Sequence, residues 1–177
     1  MRRVVVTGMG AITPIGNSIP AFLEGLQTGR SGAAPITLFD AHLFKTRFAC
    51  EVKGFKVEDY LDRKESKRMD RFTHFAMVAA AEAIKNSQLD LSAIDLDRAG
   101  VIWGSGVGGL QSLENEVIEF ARGNGTPRFN PFLIPRMISD IAAGYISIEY
   151  GFRGANYSTV SACASSNHAI LSSVDEI

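Results

Sequence analysis

Cysteine is scarce in this chain of 177 residues: Cys50 and Cys163 are the only two, and they form no CxxC pair. That excludes a disulfide framework and a thiolate zinc cluster, and it fits a reducing compartment. Histidine is nearly as rare. His42, His74 and His168 show no ligand spacing, so no metal is expected. An excess of charge of one sign is also lacking, since 18 basic and 19 acidic residues leave a net charge of -1. Such a balance gives no reason to expect nucleic acid or an anionic membrane as partner. Long apolar runs are missing too. Val4-Val5-Val6, which follows two arginines, is cut short by Thr7 and Gly8, too early for a secretory signal, and no stretch approaches membrane-spanning length.

What is present has the composition of a folded domain. Apolar residues make up 46% of the chain, enough at this length to bury a sizeable core. We expect residues 1–177 to form one domain without an internal boundary. Arg3 to Thr7 reads as a buried strand, followed by a glycine-punctuated loop through Gly16. Asn17 or Ser18 can cap the next helix, with Pro20 in its first turn and Gly29 just past its end. An irregular connection over 30–45 leads to a short strand, Phe48 to Val52, in which Cys50 reads as structural.

The longest helical pattern runs from Glu65 to Ser87 and should be largely buried. Ala99 to Trp103 predicts a fully buried strand, Leu110 to about Arg122 a helix, and Asn124 to Pro135 a loop. Arg136 to Tyr150 predicts a further helix, ended by Gly151, and Tyr157 to Val160 a last strand before the helix that starts near Ala164. This β-α-β-α-α-β-α order predicts a layered α/β domain.

Cys163 falls where that last strand turns into a helix. Free N–H groups and the positive end of the helix dipole can there stabilise a thiolate, and can hold the oxyanion formed when it attacks an acyl carbonyl. The competing reading is a small residue that packs between strand and helix. His168, five residues on, would sit about 140° round the helix from the thiol. Gly104, Gly106 and Gly109 satisfy GxGxxG between a strand and a helix. No second strand with a ribose-holding acid follows, which points to close backbone packing rather than to a dinucleotide site. Lys64, Lys67 and Arg68 belong to a locally basic segment that is either a solvated face or a docking surface for an acidic partner.

Three stretches together resemble the β-ketoacyl-acyl-carrier-protein synthases of the thiolase superfamily, closest to the elongating type II enzymes of bacterial fatty-acid synthesis. They are Arg3 to Gly10 with Pro14-Ile15-Gly16, Arg63-Lys64-Glu65 with Met69-Asp70-Arg71-Phe72, and Val160 to Ser166. The likeness runs nearly the whole length. It implies a thiolase-like layered α/β fold of which only the N-terminal half is present, ending after the nucleophile helix. By the same resemblance Cys163 accepts the growing acyl chain, and its own amide is one oxyanion donor. Gly106, Val107, Gly108 and Phe132 would lie near the acyl pocket or dimer interface. Lys64, Lys67, Arg68 and Arg128 would face an acidic acyl carrier protein.

The resemblance implies a cytoplasmic homodimer that needs no cofactor. It also implies decarboxylation by two histidines and a lysine from a C-terminal half, so that this chain alone would not condense and would need that half or a second chain. Ala155 and Leu171 depart from the family pattern, standing where proline and glycine are common. Two other classes compete. A non-catalytic partner subunit is disfavoured by the presence of Cys163, and a nucleotide-binding module would rest on the Gly104 loop.

Overall fold

The structure, a computed structural model, describes residues 3–177. The chain folds into two compact units, each described separately below.

One unit comprises Thr7–Tyr60 and Val78–Gln88. Helix α1 (Ile19–Gln27) forms as the sequence predicts: the Ser18 side chain accepts the Ala21 N–H, Pro20 lies in the first turn, and Gly29 follows with φ +64°. The loop before it lies against the C-terminal part of α3 (Arg71–Ser87). There the Glu82 carboxylate accepts the N–H groups of Ala11 (2.9 Å) and Ile19 (2.8 Å), tying loop and helix start together. Gly10 is required at this approach, because a Cβ would stand 2.8 Å from the Ala79 carbonyl carbon. Short strands β1 (Ala34–Pro35) and β2 (Phe48–Ala49) pair antiparallel, so the connection over 30–45 is less irregular than expected. The second strand stops before Cys50, which is exposed.

The other unit holds Leu61–Met77 and Leu89–Ile177 with the N-terminal segment up to Val6. Its sheet consists of β3 (Val101–Gly104) and β4 (Asn156–Thr159), parallel and in register from Val101 opposite Asn156 to Gly104 opposite Thr159. Parallel neighbours need a crossover, which here is α4 (Leu110–Arg122), α5 (Leu133–Met137) and α6 (Ile141–Tyr150). After β4 comes a single 3-10 turn, Ala162–Ala164, and then α7 (Ser165–Glu176). Met69, Ala76, Met77, Ala142, Ala143, Ile146 and Ala169 form the buried apolar set of this unit.

Four further expectations are corrected. Arg3–Thr7 is not a strand, because no neighbour pairs with it among the described residues, and Val5 and Val6 stay 63% and 82% exposed. The strand over Ala99–Trp103 shifts to Val101–Gly104 and is half-buried rather than fully buried.

The Glu65–Ser87 helix is broken into α2 (Arg63–Ser66) and α3. Asp62 caps the first, accepting the Lys64 N–H at 2.7 Å. The Ser66 carbonyl then takes the Met69 N–H and His74 Nε2 instead of propagating the helix. Asp70 starts the second piece, its carboxylate accepting the Ser112 N–H (3.0 Å) and hydroxyl (2.5 Å) at the start of α4.

The Arg136–Tyr150 helix is likewise two helices, with part of the expected 124–135 loop taken into α5. Gly109 N–H donates to the Met137 carbonyl at 2.9 Å, and Ile138 turns extended at ψ 141°. Gly108 and Gly109 lie so close to the carbonyls of Met137 and Arg136 that side chains at 108 and 109 would collide with them. A neighbouring loop thus interrupts the helix, which 3.6-residue periodicity does not register.

Candidate active site

Cys163 sits in the 3-10 turn between β4 and α7, exposed and free of any disulfide. The backbone before it is strained, since Ala162 has φ +49°, a left-handed conformation that disfavours residues with a Cβ. Ser165, 3% exposed, holds this elbow from inside. Its hydroxyl accepts the Ser161 N–H (2.8 Å) and donates to the Ala162 carbonyl (2.8 Å). The Thr159 hydroxyl donates to the Ser165 carbonyl at 2.8 Å, and the Ala164 N–H to the Ser161 carbonyl at 3.0 Å. His168 Nδ1 lies 2.7 Å from the Ser161 hydroxyl. Cys163 precedes α7, and His168, in the first turn of that helix, is bonded to Ser161 on the other side of the cysteine in sequence.

The glycine loop after β3 backs this elbow. A Cβ on Gly104 would come within 2.6 Å of the Ser166 Cα and N, and one on Gly106 within 3.7 Å of the Ala162 carbonyl oxygen. Gly104 and Gly109 therefore serve backbone-to-backbone packing, whereas a Cβ at Gly106 would make only an ordinary contact. Val107, next in the loop, lines an apolar hollow of about 460 Å³ with Leu110, Leu113, Met137 and Ile138.

Phe132 does not share that hollow. It lines another, of about 250 Å³, with Met69, Met77, Tyr145 and Ile148. The Arg68 guanidinium stacks over its ring, 5.1 Å from the centroid. That contact brings the basic segment beside the connection between α4 and α5, which carries Arg128. Lys64, Lys67, Arg68 and Arg128 are all exposed.

The other histidines are occupied elsewhere: His74 Nε2 meets the Ser66 carbonyl and His42 Nδ1 pairs with Asp40, each at 2.8 Å. His42 holds the Asp40 carboxyl below the usual carboxylate range through hydrogen bonds from its backbone and then its ring. Among the described residues no group of three His, Cys, Asp or Glu side chains is placed to hold a metal ion, and no helix is long and apolar enough to cross a membrane.

A family model described as "Beta-ketoacyl synthase, N-terminal domain" matches residues 1–177. The chain belongs to the β-ketoacyl synthase family. The 3-oxoacyl-[acyl-carrier-protein] synthase 2 of Synechocystis sp. is 47% identical over 169 residues, which cover 96% of this chain and 40% of that protein. The Staphylococcus aureus protein of the same name is 43% identical over 96% of this chain and 41% of its own length. This β-ketoacyl synthase chain thus spans about two fifths of the curated relatives it matches.

Solved ketosynthases share its thiolase-like α/β fold. A β-ketoacyl synthase from Burkholderia phymatum superposes with a TM-score of 0.82 at 26% identity, covering all of this chain and 44% of that one. A type II polyketide ketosynthase, solved with its acyl carrier protein and bound to a hexaketide, gives 0.81 at 27%, covering 100% and 47%. Sequence reasoning placed Cys163 at the turn, took Ser161 and Ser165 only as small residues of the motif and set His168 apart from the thiol, and so did not anticipate the hydrogen bonds that join them. A run of small polar residues around a cysteine at a strand end was the available signal.

Proposed function

We propose that this chain is the nucleophile-bearing part of a β-ketoacyl-[acyl-carrier-protein] synthase that elongates acyl chains in bacterial fatty-acid synthesis. The observation that carries the reading is an exposed thiol in a built turn between β4 and α7. The Cys163 thiolate attacks the carbonyl of an acyl thioester, the tetrahedral oxyanion collapses, and the carrier's thiol leaves with a proton. Malonyl-carrier protein then loses CO₂, and the resulting carbanion attacks the acyl-enzyme carbonyl. That step forms the new C–C bond, releases the Cys163 thiolate and yields a β-ketoacyl carrier. N–H groups at the start of α7 and of Cys163 itself face the developing oxyanion.

His42 and His74 are bonded away from the elbow, to Asp40 and to the Ser66 carbonyl, and His168 is bonded to the Ser161 hydroxyl within it, so none of the three is assigned to decarboxylation, whose assisting groups the family resemblance puts in a C-terminal half. Gly106, Val107 and Gly108 form one wall of the acyl pocket beside the elbow, and Phe132 belongs to the surface next to it. Lys64, Lys67, Arg68 and Arg128 receive an acidic acyl carrier protein, a reading supported by a related ketosynthase solved with such a partner. The enzyme works as a cytoplasmic homodimer without a cofactor.

Incubation with an acyl-carrier protein or an acyl-thioester mimic tests the reading. A mass increase of one acyl group on the peptide carrying Cys163 is expected, and acylation that spares this peptide rules it out.

A further inference from the structure

We propose that His168 is a positioning residue for Cys163, acting through the Ser161 hydroxyl to hold the elbow in the conformation that presents the thiol. The proposal rests on the reading of Cys163 as acyl acceptor and adds to it a residue that does not itself touch substrate. The reason a holding contact is needed is backbone strain: Ala162 is left-handed at φ +49° without being glycine, a state that persists only where neighbours impose it.

Ser161 is the residue through which they impose it. Its N–H goes to the buried Ser165 hydroxyl, its carbonyl accepts the Ala164 N–H, and its own hydroxyl lies 2.7 Å from His168 Nδ1. The first two contacts lie within the turn and the first residue of α7. The third reaches back from the fourth residue of α7, closing Cys163 inside a loop tied at 161 and 168. A hydroxyl both donates and accepts, so the contact persists whichever way the imidazole is protonated. His168 is exposed, so removing its ring sacrifices little packing and mainly this polar contact.

The test is the second-order rate constant for alkylation of Cys163 by chloroacetamide in the purified protein, read on the peptide that carries it. The S–C bond forms and chloride leaves, so no carrier protein or second substrate is involved. Ser161→Ala and His168→Phe should each slow the reaction roughly five- to tenfold, the fold-change that one hydrogen bond of ordinary net strength represents. The double variant should be no slower than either alone, because both remove the same contact. His168→Asn, which keeps a polar atom near the Nδ1 position, should restore the parent rate, whereas His168→Gln, which projects one further out, should not.

Unchanged rates in both single variants, additive losses in the double variant, or equal behaviour of the Asn and Gln variants would overturn the proposal. If His168→Phe does not fold, the Asn and Gln pair decides the matter. Acylation by a thioester, measured on the same proteins, tests the underlying reading separately. A protein that alkylates as described yet accepts no acyl group refutes the synthase reading and leaves the positioning pair standing.

Discussion

Cys50 and Cys163 are both exposed and both free, yet their surroundings differ in kind. Cys50 follows a two-residue strand, whereas Cys163 lies in a turn whose backbone is strained and clasped by Ser161, Ser165 and His168. Accessibility therefore does not distinguish a reactive cysteine in this molecule. On the reading proposed above the distinction lies in the contacts around it, because strain at Ala162 persists only where other contacts hold it in place. The largest expected consequence is chemical. Cys163→Ala should lower acyl-enzyme formation at least about a thousandfold, while Cys50→Ala should leave it within about twofold. Mass spectrometry after a timed pulse of acyl thioester reads both, and equal acylation of the two thiols would erase the contrast.

The glycines near each cysteine sharpen the comparison. Gly104 packs on the first turn of α7 with no room for a Cβ, whereas Gly54 has φ +66° and nothing within 4 Å of where a Cβ would stand. Gly104→Ala should destabilise by about 1–3 kcal/mol through overpacking and also slow alkylation of Cys163, because Ser166 must move. Gly54→Ala should cost about 1 kcal/mol of backbone strain and leave that rate unchanged. Thermal unfolding and chloroacetamide kinetics on the two variants separate the cases. A smaller effect is expected for Ser165→Ala, which removes two hydrogen bonds from the elbow. About 1–2 kcal/mol of stability should be lost, together with a slower Cys163 reaction, and an unchanged melting temperature would show that the hydroxyl does not hold the turn.

These two regions also show what the sequence made legible. Helix α1 was readable to its caps because Ser18, Pro20 and Gly29 act locally, within reach of one turn. Cys163 at the end of a strand was readable for the same reason. The breaks within 65–87 and 136–150 were not, because a carboxylate from Asp70 meets Ser112 and the backbone of Gly109 meets Met137, partners remote in sequence. The Ser161 and His168 contact escaped for a subtler reason. It joins a helix residue to one that precedes the 3-10 turn, and a helical wheel drawn over 163–168 does not contain Ser161. Phe132 was placed with Gly106, Val107 and Gly108 near an acyl pocket or dimer interface by resemblance alone, and its packing under the Arg68 guanidinium had no signal in the sequence because the two are remote along the chain.

The smallest expected effects lie in the basic segment, where the same contrast between exposure and engagement applies. Lys64 and Lys67 are exposed, and an exposed charge contributes at most about 1 kcal/mol to an encounter because solvent and salt screen it. Arg68 is exposed too, but its guanidinium is held over Phe132. Lys64→Glu with Lys67→Glu should therefore weaken binding of an acyl carrier protein several-fold, with the loss shrinking as salt rises, and should leave Cys163 alkylation unaltered. Arg68→Ala should weaken binding less steeply with salt, because part of its effect comes from releasing the Phe132 ring rather than from charge. Titration calorimetry at two ionic strengths measures both slopes. Identical salt dependence in the two variants would mean that all three cations act alike through long-range attraction, and that the Arg68 stack plays no separate part in docking.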